Sequence, residues 1–598
     1  MREEIPRPDF ARENWLSLNG TWDFAFDDLN IGHKEKWYKN RHVFKQKIEV
    51  PFCYQSELSG INDQTFHDHV WYYRTFSIDE KNRDKRIMLN IGAIDYQSEV
   101  YVNGSLVKTH LGGNTSFKVD ITDFLNYQEE ELVIYAFDPS TDEFIPRGKQ
   151  FWKEVSESIW YTRTTGIWQP VWLEMVEETY IDSFRLTPNI DLGQLEIELA
   201  LNHFKKNLSL QIKVYDQDEL IINTKSQLNS RCLKLNLDVF QNQIFNTGVH
   251  HRGKTWSPDS PHLYDIVFTL IEDEKTIDEV KSYFGMRKIH QENGVIFLNN
   301  RPYFQKLVLD QGYYENGLLT APSDEDFIKD IMLAKEMGFN GCRKHQYVSD
   351  PRFLYHADRL GFLVWGEVAN SANFNFDYVE NMTTEWMQVI KRDYNHPSIV
   401  TWVPLNESWG VPNIASSQYE QHHSLSLYHL TKSLDQSRFV ISNDGWEMTK
   451  TDITAIHNYT HGHIDDVEQH VLFERTISNQ ANILSYMPAG RKIYVGEHQY
   501  EGTPILLTEF GGISFNIKEE EGWGYTSVNQ GETFLKEYIR LIETIKKSSC
   551  IAGFCYTQFS DVFQEINGLV TFNRQPKVEP KLIREINDSI HFMGKLDQ

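Results

Sequence analysis

Short runs of alternating apolar and polar residues dominate the first half of the chain. Glu99-Val-Tyr-Val102, Glu131-Leu-Val-Ile-Tyr135, Leu195-Glu-Ile-Glu-Leu-Ala-Leu201 and Leu208-Ser-Leu-Gln-Ile-Lys-Val-Tyr215 are examples. A period of two places neighbouring side chains on opposite faces, so these runs predict half-buried strands. Asn103-Gly104 follows the first run. Both residues tolerate positive φ, which a two-residue hairpin needs. Helical periodicity is scarce before about residue 320. The pattern predicts a β-sandwich over residues 1–178, closed by Gly166-Ile-Trp-Gln-Pro-Val-Trp-Leu-Glu174. A second β module of immunoglobulin size covers 179–286. No repeat or low-complexity linker separates the parts.

After about residue 300, apolar strand-like runs alternate with amphipathic stretches. The predicted strands are Tyr303–Leu309, Gly341–His345, Leu363–Glu367, Ile399–Glu407, Phe439–Asp444, Ile453–Tyr459, Ile505–Glu509 and Ile551–Gln558. Asp324–Met337 reads as a helix, with Ser323 as N-cap and Gly338 as the stop. Eight such units over residues 287–598 match the size of a (β/α)8 barrel. A doubly wound sheet is the alternative, but no Gly-rich phosphate loop follows the first strand.

Composition narrows the function. The chain has 598 residues, 59 basic and 85 acidic, for a net charge of −26. An acidic chain is unsuited to binding nucleic acid, which needs a basic face. No run approaches the roughly 18 apolar residues of a membrane span. MREEIPRPDF has no basic segment leading into an apolar one. Cys53, Cys232, Cys342, Cys550 and Cys555 show no paired spacing and read as buried free thiols. The expectation is a cytoplasmic protein. Aromatic residues make up 13% of the chain, enough for both β cores and sugar-stacking faces.

Catalytic groups of a barrel sit at the C-terminal ends of its strands. Those ends here read Arg343-Lys344-His345, Glu367, Asn406-Glu407, Asn443-Asp444, His457-Asn458-Tyr459 and Thr508-Glu509. Glu407 and Glu509 follow apolar runs of the fourth and seventh strands, across the mouth from each other. Paired carboxylates suit glycoside hydrolysis, one protonating the leaving oxygen and the other attacking the anomeric carbon or activating water. An isolated strand-end Glu can equally cap a helix or pair with Arg. Glu367 can bind substrate or pair with Arg343 or Lys344, and Asp444 can bind a hydroxyl or cap a helix. His345 and His457 are either satisfied polar residues or substrate contacts. Of Trp365, Trp402, Trp409 and Trp446, only Trp409 is expected in the pocket. The run Glu519-Glu-Glu-Gly522 reads as a solvated loop.

These residues resemble family-2 glycoside hydrolases, the family of bacterial β-galactosidases, β-glucuronidases and β-mannosidases. Leu18-Asn-Gly-Thr-Trp-Asp-Phe24, Val102-Asn-Gly104 and Gly166-Ile-Trp-Gln169 resemble its N-terminal jelly-roll. Phe284-Gly-Met-Arg-Lys288 is similar to its entry into the barrel. Arg392-Asp-Tyr-Asn-His-Pro-Ser-Ile399, Trp402-Val-Pro-Leu-Asn-Glu407 and Thr508-Glu-Phe-Gly-Gly512 resemble its catalytic blocks. The resemblance implies jelly-roll, immunoglobulin-like and barrel domains. It implies Glu407 as acid/base, Glu509 as nucleophile, Asn406 on the sugar 2-hydroxyl, Arg343 beside the nucleophile and Tyr459 donating to it. The nucleophile then needs donors and charge, and the acid a raised pKa. The chemistry needs no cofactor, although some β-galactosidases use Mg²⁺ or Na⁺; no metal ligands map here. A homo-oligomer, dimer or tetramer, is a family expectation.

Departures bear on the sugar. β-Galactosidases carry His-Glu where this chain has Asp310-Gln311. The Asn-x-Lys that holds the glucuronide carboxylate is missing from Ser560-Asp-Val-Phe-Gln-Glu-Ile-Asn-Gly568. Asn516-Ile-Lys518 has that spacing but follows the seventh strand. Thr557 and Gln558 stand where relatives often have Trp, suggesting a changed subsite. The expected activity is a retaining exo-β-glycosidase, with a β-galactoside the leading substrate. β-Glucuronidase is the alternative, then β-mannosidase or pentosidase. Two other classes remain: a carbohydrate-binding protein on a decayed glycosidase scaffold, and a metal-dependent barrel hydrolase.

Overall fold

The computed structural model describes residues 4–240, 254–517 and 522–590. Glu519, Glu520 and Glu521 of the predicted acidic loop, and Lys518, lie outside them. The first domain packs a six-stranded antiparallel sheet on a four-stranded one. Trp22, Phe24, Tyr72, Leu89 and Ile134 fill the space between them. The predicted hairpin pairs Val102 with Ser105, with Asn103 and Gly104 at φ +50° and +72°. Among its described residues, the second domain stacks a three-stranded on a four-stranded sheet, the seven-strand count of an immunoglobulin-like sandwich. Arg12 joins these two domains, reaching Glu174 at 2.7 Å and Asp278 at 2.9 Å.

The remaining chain forms a parallel barrel. Its strands are β1 (Gln305–Asp310), β2 (Gly341–Lys344), β3 (Leu363–Glu367), β4 (Ile399–Val403), β5 (Phe439–Val440), β6 (Thr454–His457), β7 (Ile505–Gly511) and β8 (Ile551–Thr557). Their order is 5-4-3-2-1-8-7-6, and β8 lies between β1 and β7, curling the sheet on itself. Helix α1 (Asp324–Glu336) begins at Ser323, whose hydroxyl bonds Asp326 rather than a backbone amide. Helix α2 (Pro351–Leu360) has Pro at its start, an Asp350 cap and left-handed Gly361 at its end. Arg287, just past the second domain, donates to the carbonyls of Pro397 and Ile399 and so fixes the base of β4.

Several strands are shorter than predicted, β4 and β5 the most. The β4 ladder stops at Val403 rather than Glu407, because Pro404 has no N–H to give a neighbour. Glu407 and Ser408 then turn at φ +51° and +62°. The β5 ladder ends at Val440, not Asp444; beyond it an Asn406–Asp444 bridge and hydrogen bonds between Ser408 and Asn443 link the two segments. Left-handed non-glycine residues are costly and concentrate where a side chain must be aimed. The cysteines also need correction: Cys53, Cys342 and Cys555 are buried, but Cys232 is exposed on an edge strand and Cys550 is half-buried.

The jelly-roll and barrel share a core at the barrel mouth. Tyr161 and Trp168 of the first pack with Tyr313, Tyr347 and Val562 of the second. Segment 138–165, between two jelly-roll strands, therefore lies across the C-terminal rim of the barrel. No helix among the described residues is long and apolar enough to cross a membrane.

Candidate active site

Arg343 is the hub of the rim. It is fully buried at the end of β2, and its five donors are distributed by geometry. Nη1 donates to Glu509 Oε1 at 3.0 Å and to the Thr508 carbonyl at 3.2 Å. Nη2 reaches Asn406 Oδ1 and, at 3.1 Å, His345 Nδ1. Nε faces Glu367 and, at 3.2 Å, Asp444. One guanidinium thus ties together the ends of β2, β3, β5 and β7 and the segment after β4.

Glu509 is held ionised. Burial alone would raise its pKa, but His457 and Arg343 more than offset this and set it well below the usual carboxylate range. Tyr459 adds a hydrogen bond from its hydroxyl to Glu509 Oε2 at 2.6 Å, and its ring stacks on Tyr525 at 3.6 Å. Thr557 Oγ1 lies 2.9 Å from the same hydroxyl.

Glu407 faces Glu509 with a pair of carboxyl oxygens within 4.8 Å. His457 stands between them, its Nδ1 2.8 Å from Glu407 Oε1 and 3.5 Å from Glu509 Oε2. Its Nε2 is 3.1 Å from Asp444 Oδ1. Burial opposes protonation of His457, yet Glu509, Asp444 and Glu407 together raise its pKa to about 10. The acid/base candidate therefore sits beside an imidazolium rather than against the apolar wall expected for an acid. Glu407, His457 and Glu509 also have ligand-type atoms close enough to hold an ion. With Arg343 and a protonated His457 already among them, the donor set is poorly suited to a divalent cation.

The other predicted residues divide. Asp444 is fully buried behind the site, bonded by His457 and Thr508 Oγ1, so it neither reaches the cavity nor caps a helix. Glu367 pairs with Arg343, while Lys344 pairs with Asp310. Burial raises the Glu367 pKa to about 7, although Arg343 opposes the shift. Burial and Arg343 push His345 well below its ordinary value, leaving it neutral. Its Nδ1 accepts from Arg343, so Nε2 carries the proton. Asn406 Nδ2 is buried with no partner among the described residues, a donor available to a ligand. Trp409 meets Trp160 edge-on at 4.9 Å. Trp365 and Trp402 are core residues. Trp446, set aside in the sequence reading, packs against His457 at 5.5 Å with an unpartnered indole N–H.

Several wall residues had no sequence signal. Tyr525 is placed by stacking. Glu565 receives Tyr161 and Asn567. Gln311 and Gln558, by contrast, stand out in the sequence as departures from the family pattern, and they bond each other at 2.9 Å. Lys149 and Trp160 come from the jelly-roll, far away in sequence.

Models of glycosyl hydrolases family 2 match throughout: the sugar-binding domain at residues 15–173, the middle domain at 179–287 and the TIM barrel domain at 292–592. A Formosa agariphila protein named for β-glucuronidase activity is 26% identical over 519 residues, covering 84% of this chain and 56% of its own length. A Streptococcus agalactiae β-glucuronidase is 22% identical over 540 residues, 83% of this chain and 82% of that one. A Thermoanaerobacter pseudethanolicus β-galactosidase is 26% identical over 429 residues, 69% of this chain and 53% of that one. The chain thus spans about half the length of two of these three relatives. The Ruminococcus gnavus β-glucuronidase structure superposes with a TM-score of 0.78 at 19% identity, covering 98% of this chain and all of that one. The barrel match alone spans half of the sequence, and the chain belongs to glycosyl hydrolases family 2.

Proposed function

We propose that the protein is a retaining exo-β-glycosidase acting on β-glucuronides or closely related uronides. The observation that supports the reaction type is that one carboxyl oxygen of Glu407 lies within 4.8 Å of one of Glu509. Inverting enzymes separate their carboxyls by roughly 6.5–9.5 Å to admit a water, and retaining enzymes by roughly 5–5.5 Å. Glu509, held anionic by Arg343, His457 and Tyr459, attacks the anomeric carbon. Glu407 protonates the departing oxygen, then removes a proton from the incoming water. The unpartnered Nδ2 of Asn406 donates to the sugar 2-hydroxyl, a contact that tightens in the oxocarbenium-like transition state. Segment 138–165 closes one side of the mouth, which suits removal of terminal residues.

The choice of sugar rests on two supports. Two of the three relatives above carry a β-glucuronidase name. The expected β-galactoside reading also loses its contacts. Asp310 is committed to Lys344 and Gln311 to Gln558, so the pair replacing His-Glu is engaged within the protein. The test is an initial-rate panel of aryl β-glucuronide, β-galacturonide, β-galactoside, β-glucoside and β-mannoside. Proton NMR of the first-formed product accompanies it. The expected result is a preferred uronide released with β configuration. A product of α configuration would refute the mechanism, and a preferred neutral hexoside would refute the sugar assignment.

A further inference from the structure

A β-uronide places a carboxylate where a β-hexoside has a hydroxymethyl group, so an enzyme for uronides needs a positive group at that end of the pocket. The loop after β8 supplies none. Its neighbouring cation Lys577 is bound to Asp561 at 2.7 Å and to the Ile566 carbonyl. Among the described residues, these other cations near the mouth are also committed. Arg343 serves Glu509, Glu367 and Asp444; Lys344 serves Asp310; Arg574 serves Asp330. Arg147 donates to the carbonyls of Asp142 and Pro139.

Lys149 differs. It is 7% exposed, yet among the described residues its ammonium has no hydrogen bond and no carboxylate within ion-pair distance. An ammonium so largely enclosed and bound to no carboxylate is free to receive an anion. It helps line a narrow polar cavity with Gln150, Gln311, Tyr313 and His345, between the jelly-roll and the barrel rim. Its charge is felt by His345 and Glu565, and both of those also feel Glu509. Trp160 lies beneath the ammonium, 5.8 Å from ring centre to Nζ, and touches Trp409.

The local backbone is built to bring Lys149 there. Arg147 and Gly148 both donate their amides to the Asn370 carbonyl beyond β3. Gly148 adopts φ +60°, and a Cβ at that position would lie 2.1 Å from the Gln346 carbonyl oxygen. Only glycine permits so close an approach.

We propose that Lys149, carried to the barrel mouth by the jelly-roll domain, receives the carboxylate of the substrate and selects uronides over neutral hexosides. This rests on the uronide reading above and adds the residue that enforces it. Glu565, whose carboxylate receives Tyr161 and Asn567, makes no ion pair with Lys149 and does not occupy its ammonium.

The test compares wild type, Lys149→Met and Lys149→Arg on aryl β-glucuronide and β-glucoside, which differ only at the sixth carbon, and on the galacturonide and galactoside pair. Calorimetric affinities for glucaro-1,5-lactone and glucono-1,5-lactone give a readout independent of turnover. In Lys149→Met the ratio of uronide to hexoside kcat/KM is expected to fall about 30- to 100-fold, mainly through KM. The acidic lactone loses affinity in parallel, and Lys149→Arg recovers a large part of both. Equal losses on acidic and neutral ligands would mean a structural role and overturn the proposal. A wild type that prefers uronides, with a ratio unmoved in Lys149→Met, would keep the uronidase reading and place the carboxylate elsewhere. A wild type without uronide preference would remove both.

Discussion

Replacing His457 with Asn asks which group stores the proton that Glu407 delivers. His457 Nδ1 and Glu407 Oε1 are 2.8 Å apart, and Asp444 backs the ring at 3.1 Å. Glu509 lies 3.5 Å away, Arg343 Nη1 3.4 Å from Nε2, and Trp446 covers the edge. Imidazolium with carboxylate and imidazole with carboxylic acid contain the same number of protons, and only the second can protonate a leaving oxygen. The pair therefore loses its proton as a unit. That proton is held until about pH 10, because the carboxylates around His457 raise its pKa. The alkaline limb of kcat/KM should lie correspondingly high in the wild type. In His457→Asn the carboxyl has no imidazole with which to share its proton, and the alkaline limb should move to lower pH. Rate then falls tenfold for each pH unit above the acid's own pKa. Two pH units above the variant's limb, about 100-fold of its optimal rate should therefore be lost. The assay is kcat/KM from pH 4 to 10 with two aryl glycosides. One has a phenol that needs protonation, and the other has dinitrophenol, which does not. The alkaline limb should move down for the first substrate and stay in place for the second. An alkaline limb that stays within half a unit for the first substrate would refute the shared proton.

Other consequences are equally direct. Glu509→Gln should reduce kcat on the order of 10⁴-fold or more, measured after excluding contaminating enzyme, because it removes the nucleophile while keeping shape. Asn406→Ala should lower kcat/KM by roughly 10²-fold on a normal glycoside but far less on its 2-deoxy analogue; equal losses would deny the 2-hydroxyl contact. Trp386 is fully buried, donates to Thr431 at 2.7 Å and meets Trp402 edge-on. Trp386→Ala should cost about 3–5 kcal/mol in urea unfolding, and a loss below about 1 kcal/mol would contradict its role in the barrel core. Burial would raise the pKa of Asp444, but Arg343 and His457 bring it down to about 2. Its stabilisation is complete above the ordinary Asp value near 3.8 and fades as pH falls through 2. His457, raised to about 10, contributes fully below about 6.5 and less as pH rises toward 10. Melting temperature should therefore decline at both extremes, and a profile of Asp444→Asn as steep below pH 4 as the wild type's would exclude Asp444 from the acid limb.

The sequence made the barrel legible because each parallel strand is a short apolar run that ends in polar residues. Glu407, Glu509, Asn406 and Arg343 stood out for that reason, and the structure draws them together. Strand ends were harder. Periodicity carries no sign of where a ladder stops, and Ile399–Glu407 looked continuous although Pro404 interrupts it. Asp444 looked like a ligand from its position but turns inward to Arg343 and His457, a preference set by tertiary charge. Lys149 and Trp160 lie in an irregular segment of another domain. Nothing local distinguishes them from solvated loop residues, since their meaning depends on contacts with strands made much later in the chain.

The sharing of a core between jelly-roll and barrel has a consequence for synthesis. Tyr161 and Trp168 leave the ribosome early, but Val562 follows β8, which must slot between β1 and β7. Roughly 400 residues separate Tyr161 from Val562, and at about 5–20 residues per second that gap lasts tens of seconds. For that time the nascent chain presents an aromatic patch whose counterpart is incomplete. Translation speed, growth temperature and chaperone supply should therefore govern the yield of active protein more strongly than its final stability does.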